Sequence, residues 1–160
     1  MLKTIDLVLN INYIFSCLAN YKNGGSVDTL LLILKSLSDK NRLRIFCALL
    51  SYKELCACQI TEFLNVAGAT ASRHLSLMVT AGILKNRKQG RWVYFRINTK
   101  DASLEPVILW LTQKLEGTTQ TKKDLKALRR IIAIPCEELS QKQRSGGSCS
   151  KIKQENKNIG

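Results

Sequence analysis

Cys56 and Cys58 stand one residue apart in YKELCACQITEFL (52–64), where a helical run of apolar residues (Leu55, Ile60, Phe63, Leu64) begins. Thiolates are soft ligands that select thiophilic metals and metalloids over magnesium or calcium. The positive end of a helix lowers a thiol pKa, so thiols placed there are expected to be partly ionised and reactive. Residues i and i+2 do not share a helix face. The two sulfurs can therefore meet one ion only if the first turn is distorted or is not yet helical. The six cysteines, at 17, 47, 56, 58, 136 and 149, lack the pattern of a disulfide framework. No convincing secretion signal precedes them, so reduced thiols in the cytoplasm are expected.

The elements that must position these thiols follow from apolar periodicity. Leu7, Ile11, Ile14 and Leu18 recur at helical spacing, and Asp6, Asn10 and Asn12 interrupt the apolar run. An amphipathic helix over residues 5–20 is the better reading there than a leader or anchor. After NGG (23–25), Leu30, Ile33, Leu34 and Leu37 form one face, and a helix capped by Ser38 or Asp39 puts Leu43, Phe46, Cys47 and Leu50 at the same spacing. On this pattern Cys47 is a small core residue. ELCACQITEFL is a third short helix, and ATASRHLSLMVTAG is a fourth, closed by Gly82. Two strands then flank Gln89-Gly90. A helix with Leu104, Ile108, Leu111 and Leu115 on one face carries Pro106 in its first turn. A last helix, KKDLKALRRIIAI, is stopped by Pro135. The expected organisation is an N-terminal helical extension (1–25), a core domain (26–116), a C-terminal helix (117–139) and a disordered basic tail (140–160). No run of 18 apolar residues occurs, so no membrane helix is expected.

The 160 residues carry 25 basic and 12 acidic side chains, a formal net charge of +13, and 45% are hydrophobic. Such a chain can bury a core, and its excess charge favours a polyanionic partner, most often nucleic acid. Helix, short turn, helix and basic β-hairpin is the order of a winged helix-turn-helix, whose second helix lies in the major groove. The face with Thr70, Ser72, Arg73 and Ser76 is short, polar and rich in donors, while Ala71, Leu75 and Met78 face inward. The wing tip offers Arg87, Lys88, Gln89 and Arg91 around Gly90. These residues are the expected DNA contacts. His74, the one histidine, falls near the inward face, where a hydrogen-bonded packing role is the leading expectation and a DNA contact the alternative. With one histidine and no nucleotide- or substrate-binding motif, an enzyme is not expected. The same scarcity argues against a zinc or nickel site that needs histidine ligands.

LSDKNRLRIFCALL, ELCACQI, ASRHLSLMVTAGIL and RKQGRWVYFRI together resemble the ArsR/SmtB repressors, and more closely the arsenical-resistance branch of that family. The resemblance covers roughly residues 28–100. It implies a homodimeric winged-helix repressor that leaves double-stranded operator DNA when an inducer binds. Its dimers use N- and C-terminal helices, which map here onto residues 5–20 and 102–116. In the arsenical branch, E-L-C-x-C-D-L-C at this helix start binds trivalent arsenic or antimony. The present chain keeps Cys56 and Cys58 and has Thr61 at the third cysteine position. A third ligand must then come from Cys136, Cys149, Cys17 or a water-derived oxygen, with a slight preference for the reach of Cys136 or Cys149. No permanent cofactor is implied, As(III) or Sb(III) being the inducer. The alternative function is a thiol redox switch on the same DNA-binding module, in which Cys56 or Cys58 forms a disulfide.

Overall fold

The computed structural model describes residues 27–101 and 104–145. The expected N-terminal helix with Cys17, and the tail beyond 145 with Cys149, lie outside the described residues. Among the described residues the chain forms α1 (Val27–Leu37), α2 (Lys40–Ser51), β1 (Leu55–Cys56), α3 (Ala57–Leu64), α4 (Gly68–Thr80), β2 (Leu84–Gln89), β3 (Trp92–Ile97), α5 (Glu105–Leu115), α6 (Thr119–Ile132) and α7 (Cys136–Arg144). None of these helices is long and apolar enough to cross a membrane.

Local chemistry sets the boundaries. Asp39 caps α2, its carboxylate accepting from the Arg42 amide at 3.0 Å. Asn65 takes the left-handed conformation (φ 56°) at the end of α3, so α4 starts a few residues on. Gly82, with φ 75°, ends α4, and the Ile83 amide donates back to the Met78 carbonyl at 3.1 Å. β2 and β3 pair in register from Leu84↔Ile97 to Gln89↔Trp92, leaving Gly90-Arg91 as the two-residue loop. Gly90 alone there takes positive φ (59°), as a type II′ turn requires.

The core lies between α2, α3, α4 and the sheet, where Ile45, Phe46, Ile60, Leu75, Met78 and Leu84 are all but fully buried. Ala71, Leu75 and Met78 do face inward, as expected. Three expectations need correction. The face Leu43, Phe46, Cys47 and Leu50 is not the one α2 buries most deeply. Ile45, Phe46, Ala48 and Leu49 are, because the helix is covered on two sides, while Leu50 is exposed and Cys47 half-buried. On α1, Ile33 and Leu37 pack partly on the core, but Leu30 and Leu34 are more than half exposed. The segment 54–64 is not wholly helical. Leu55 and Cys56 form a short strand that completes a sheet of order β1-β3-β2, pairing Leu55↔Phe95 and Cys56↔Tyr94.

A further difference concerns the C-terminal region. Pro135 ends α6 as expected, yet the chain turns there and continues as α7 through residue 144, inside the stretch read as tail. Proline is tolerated at a helix start, and Glu137 and Glu138 lie in the first turn of α7, where acids suit the helix dipole. Leu139 is the apolar side chain that α7 buries completely. α6 is held to α2 by a mostly buried pair. Arg44 donates to both Asp124 carboxylate oxygens at 3.0–3.2 Å and to the Phe63 carbonyl at 3.4 Å, with its guanidinium 4.7 Å from the Phe63 ring.

Candidate metal site and nucleic-acid interface

The strand β1 resolves the stereochemical problem of the Cys-x-Cys. Cys56 has extended backbone (φ −71°, ψ 149°) and stands just before α3, while Cys58 lies in its first turn. The two side chains can therefore converge, and Cys58 Sγ donates to Cys56 Sγ at 3.0 Å. The side-chain oxygen of Gln59 accepts from the Cys56 amide at 2.9 Å and fixes this junction. The third thiol comes from α7. The sulfurs of Cys56, Cys58 and Cys136 all lie within 4.8 Å of one another. Thr61 does not join them, because its hydroxyl donates to the Ala57 carbonyl within α3 at 2.8 Å.

The cluster is almost dry. Cys56 and Cys58 are buried and Cys136 half-buried, with Leu139 and the partly buried Trp92, Tyr94, Ile131 and Ile134 packed around them. The hydrogen bond from Cys58 holds the Cys56 thiol down to about 6, and neighbouring backbone amides act in the same direction. The same bond to an anionic Cys56, together with burial, pushes Cys58 up. Burial also raises Cys136. The pair thus stores one negative charge, with Cys58 as its proton donor, and titrates as a unit. A thiophilic centre with sulfur bonds of about 2.3 Å needs its sulfurs roughly 3.5 Å apart, so binding would tighten a cluster that now spans up to 4.8 Å. The donor set, three soft sulfurs with no carboxylate or imidazole among them, fits a thiophilic ion.

α7 is seated on the elements that carry this site. Gln143 Nε2 donates to the Cys58 carbonyl at 3.0 Å, and Lys142 pairs with Glu62 of α3 at 2.5 Å. Arg91 at the wing tip pairs with Glu137 at 3.2 Å.

The expected DNA face is presented outward. Thr70, Ser72, Arg73 and Ser76 of α4 are exposed, as are Arg87, Lys88, Gln89 and Arg91 of the wing. No side chain caps α4, so the amides of its exposed first turn are available to a phosphate. His74 is the exception among the expected contacts. It is half-buried, with Nδ1 3.5 Å from Arg42 Nη1 and 3.7 Å from Asp39 Oδ1, and so serves packing at the α2 start. Sequence reasoning missed Glu54 and Glu137, which pair with Arg87 and Arg91. Their only signal was position, two residues before Cys56 and one after Cys136.

A helix-turn-helix whose second helix exposes a polar face, followed by a basic hairpin, is the winged-helix arrangement of DNA-binding modules. Residues 39–86 match the family described as bacterial regulatory protein, arsR family. The chain is 38% identical over 88 residues to the arsenic resistance transcriptional regulator ArsR2 of Pseudomonas putida, a match that spans 55% of this chain and 71% of that one. It is 39% identical over 66 residues to the arsenical resistance operon repressor of Escherichia coli, covering 41% and 56%. It is 41% identical over 63 residues to the cadmium resistance transcriptional regulatory protein CadC of Listeria innocua, covering 39% and 53%. The chain belongs to the ArsR family of transcriptional regulators.

Proposed function

We propose that the protein is a homodimeric repressor that binds operator DNA through α4 and the wing and leaves it when trivalent arsenic or antimony is held by Cys56, Cys58 and Cys136. The observation that carries this reading is the convergence of three thiols within 4.8 Å in a largely apolar pocket, with no imidazole or carboxylate in the group. Relatives named for arsenic resistance favour the metalloid, while the one named for cadmium resistance makes a thiophilic divalent ion the second candidate ligand.

Thr70, Ser72, Arg73 and Ser76 would meet base edges and phosphates, with Arg87, Lys88, Gln89 and Arg91 on the adjoining backbone or minor groove. Dimerisation is supported by large apolar side chains left in solvent on two helices. These are Val27, Leu30, Leu31 and Leu34 on α1, and Leu109 and Trp110 on α5.

A bound metalloid supplies three covalent bonds to sulfur. The residues do the rest. Arsenite would exchange three As–O bonds for three As–S bonds. The Cys56 thiolate, favoured near neutral pH, would offer the first ligand, the protons of Cys58 and Cys136 would leave with two of the hydroxyls as water, and the third hydroxyl would take its proton from solvent. Drawing the sulfurs together pulls the β1–α3 junction toward α7. α3 packs directly on α4, so the recognition helix feels any shift of that junction. For release to follow, the liganded arrangement must be one that binds DNA less well.

Release from DNA is the test. Reduced protein is bound to a duplex from upstream of its own gene and titrated with arsenite, cadmium, zinc and hydrogen peroxide. The expected result is release by arsenite in wild type and its loss in Cys56→Ser, Cys58→Ser and Cys136→Ser. Release by peroxide alone would replace the metalloid reading with a redox switch on the same thiols.

A further inference from the structure

The wing arginines are not free. Arg87 makes a two-pronged ion pair with Glu54 (Nε to Oε1 2.7 Å, Nη2 to Oε2 2.5 Å), and its guanidinium lies 4.8 Å from the Tyr94 ring. Arg91 pairs with Glu137 at 3.2 Å and lies 4.7 Å from the Trp92 ring. Among the described residues, Arg73 on α4 and Lys88 on β2 enter no ion pair.

The placement of these partners is not random with respect to sulfur. Glu54 precedes Cys56 by two residues, and Glu137 follows Cys136 directly. Both segments that supply thiols therefore also supply a carboxylate to the wing. The aromatic rings under the arginines belong to the same assembly, since Tyr94 and Trp92 pack against the thiol cluster. Tyr94 is the residue on β3 that pairs with Cys56 on one side and Arg87 on the other. One rung of the sheet thus runs from a sulfur ligand through an aromatic ring to a wing cation.

We propose that Glu54 and Glu137 are the positioning residues that couple the sulfur site to DNA. With the three thiols gathered, they hold Arg87 and Arg91 folded back on Tyr94 and Trp92, withdrawn from the phosphates. A cation paired to a carboxylate displaces fewer counterions from DNA, so the clamp lowers both affinity and salt dependence. A ligand that fixes Cys136 and Cys56 fixes the two glutamates with them and favours the clamped wing. DNA, needing the same arginines, favours the open one. The ligand arm of this proposal rests on the sulfur reading above.

The double variant Glu54→Gln/Glu137→Gln in the full chain tests it. The amides keep the size of the side chains and neither glutamate is buried, and arsenite binding by the variant reports whether α7 stays seated. Surface pairs are individually weak, so unliganded affinity for the upstream duplex is expected to rise about 3- to 10-fold. The plot of log affinity against log salt should steepen by about 0.9 per phosphate regained, roughly one to two for each wing of the dimer. Arsenite should still bind the variant's sulfurs, followed by ultraviolet absorbance of the sulfur-bound species, but several-fold more should be needed to release DNA. An unchanged salt slope together with an unchanged arsenite midpoint for release overturns the proposal. If wild type itself binds no arsenite, the sulfur reading fails separately, and the salt slope alone then decides whether the carboxylates restrain the wing.

Discussion

The proposed DNA-reading face and the sulfur cluster are built in opposite ways. The first is one continuous stretch, α4, β2 and β3, whose outward side chains are solvated and whose inward ones complete the core. The second joins residues 56 and 58 to residue 136 across two further helices, and it is nearly dry. A surface read by local chain tolerates loss of a single side chain, whereas a buried site closed over long range depends on everything that holds its distant half in place. The module that binds DNA should therefore survive damage that abolishes the response.

The strongest way to break that contrast is at the anchor of α6. Asp124→Ala leaves Arg44 with its main partner gone in a mostly buried position, and loss of one member of such a pair costs about 3–5 kcal/mol. An unfolding free energy lowered by that amount in a denaturant titration would show that the C-terminal helices are part of the fold. No shift would make α6 and α7 an appendage. A sharper cut is Leu139→Ala. Removing this fully buried side chain should cost about 2–4 kcal/mol, spent mainly in unseating α7. Amide exchange across residues 136–144 should rise and arsenite binding fall, while operator affinity in low salt stays within a few-fold of wild type.

Much of the DNA face was legible in the sequence because its determinants are local. Apolar spacing fixed the inward side of α4, Gly82 its end, and Gly90 with alternating aromatic and β-branched residues the hairpin. The sulfur site was legible only in half. Cys56 and Cys58 announced themselves by type and spacing, but their segment carries helical periodicity, and the strand at Leu55–Cys56 exists because β3 offers it an edge. That pairing is tertiary and left no local mark. Cys136 could be named as a candidate and not selected, since the turn at Pro135 and the helix beyond it depend on Leu139 finding the pocket beside the thiols. Leu30 and Leu34 on α1 show the converse. Their periodicity is real, yet it marks a face that stands exposed among the described residues.

Two smaller effects sharpen the comparison. Cys136→Ser should weaken the arsenite response roughly tenfold or more, about 1.4 kcal/mol per decade, and leave operator binding without arsenite unchanged in the same gel-shift series. The thiolate absorbance of the reduced protein should show one midpoint near pH 6, well below the ordinary 9.0. Because the folded state favours the Cys56 anion, the stability it brings climbs between those values and is lost as pH falls through about 6. Cys58→Ala removes the main cause of the shift, so the midpoint should move back toward the ordinary thiol range.

The most direct measurement is the number of sulfur neighbours around arsenic in the arsenite-loaded protein, read by X-ray absorption for wild type and for Cys136→Ser. Three sulfurs in wild type and two in the variant are predicted by closure of α7 onto the α3 junction. Three sulfurs in both would place the third ligand elsewhere in the chain, and two in both would remove Cys136 from the site.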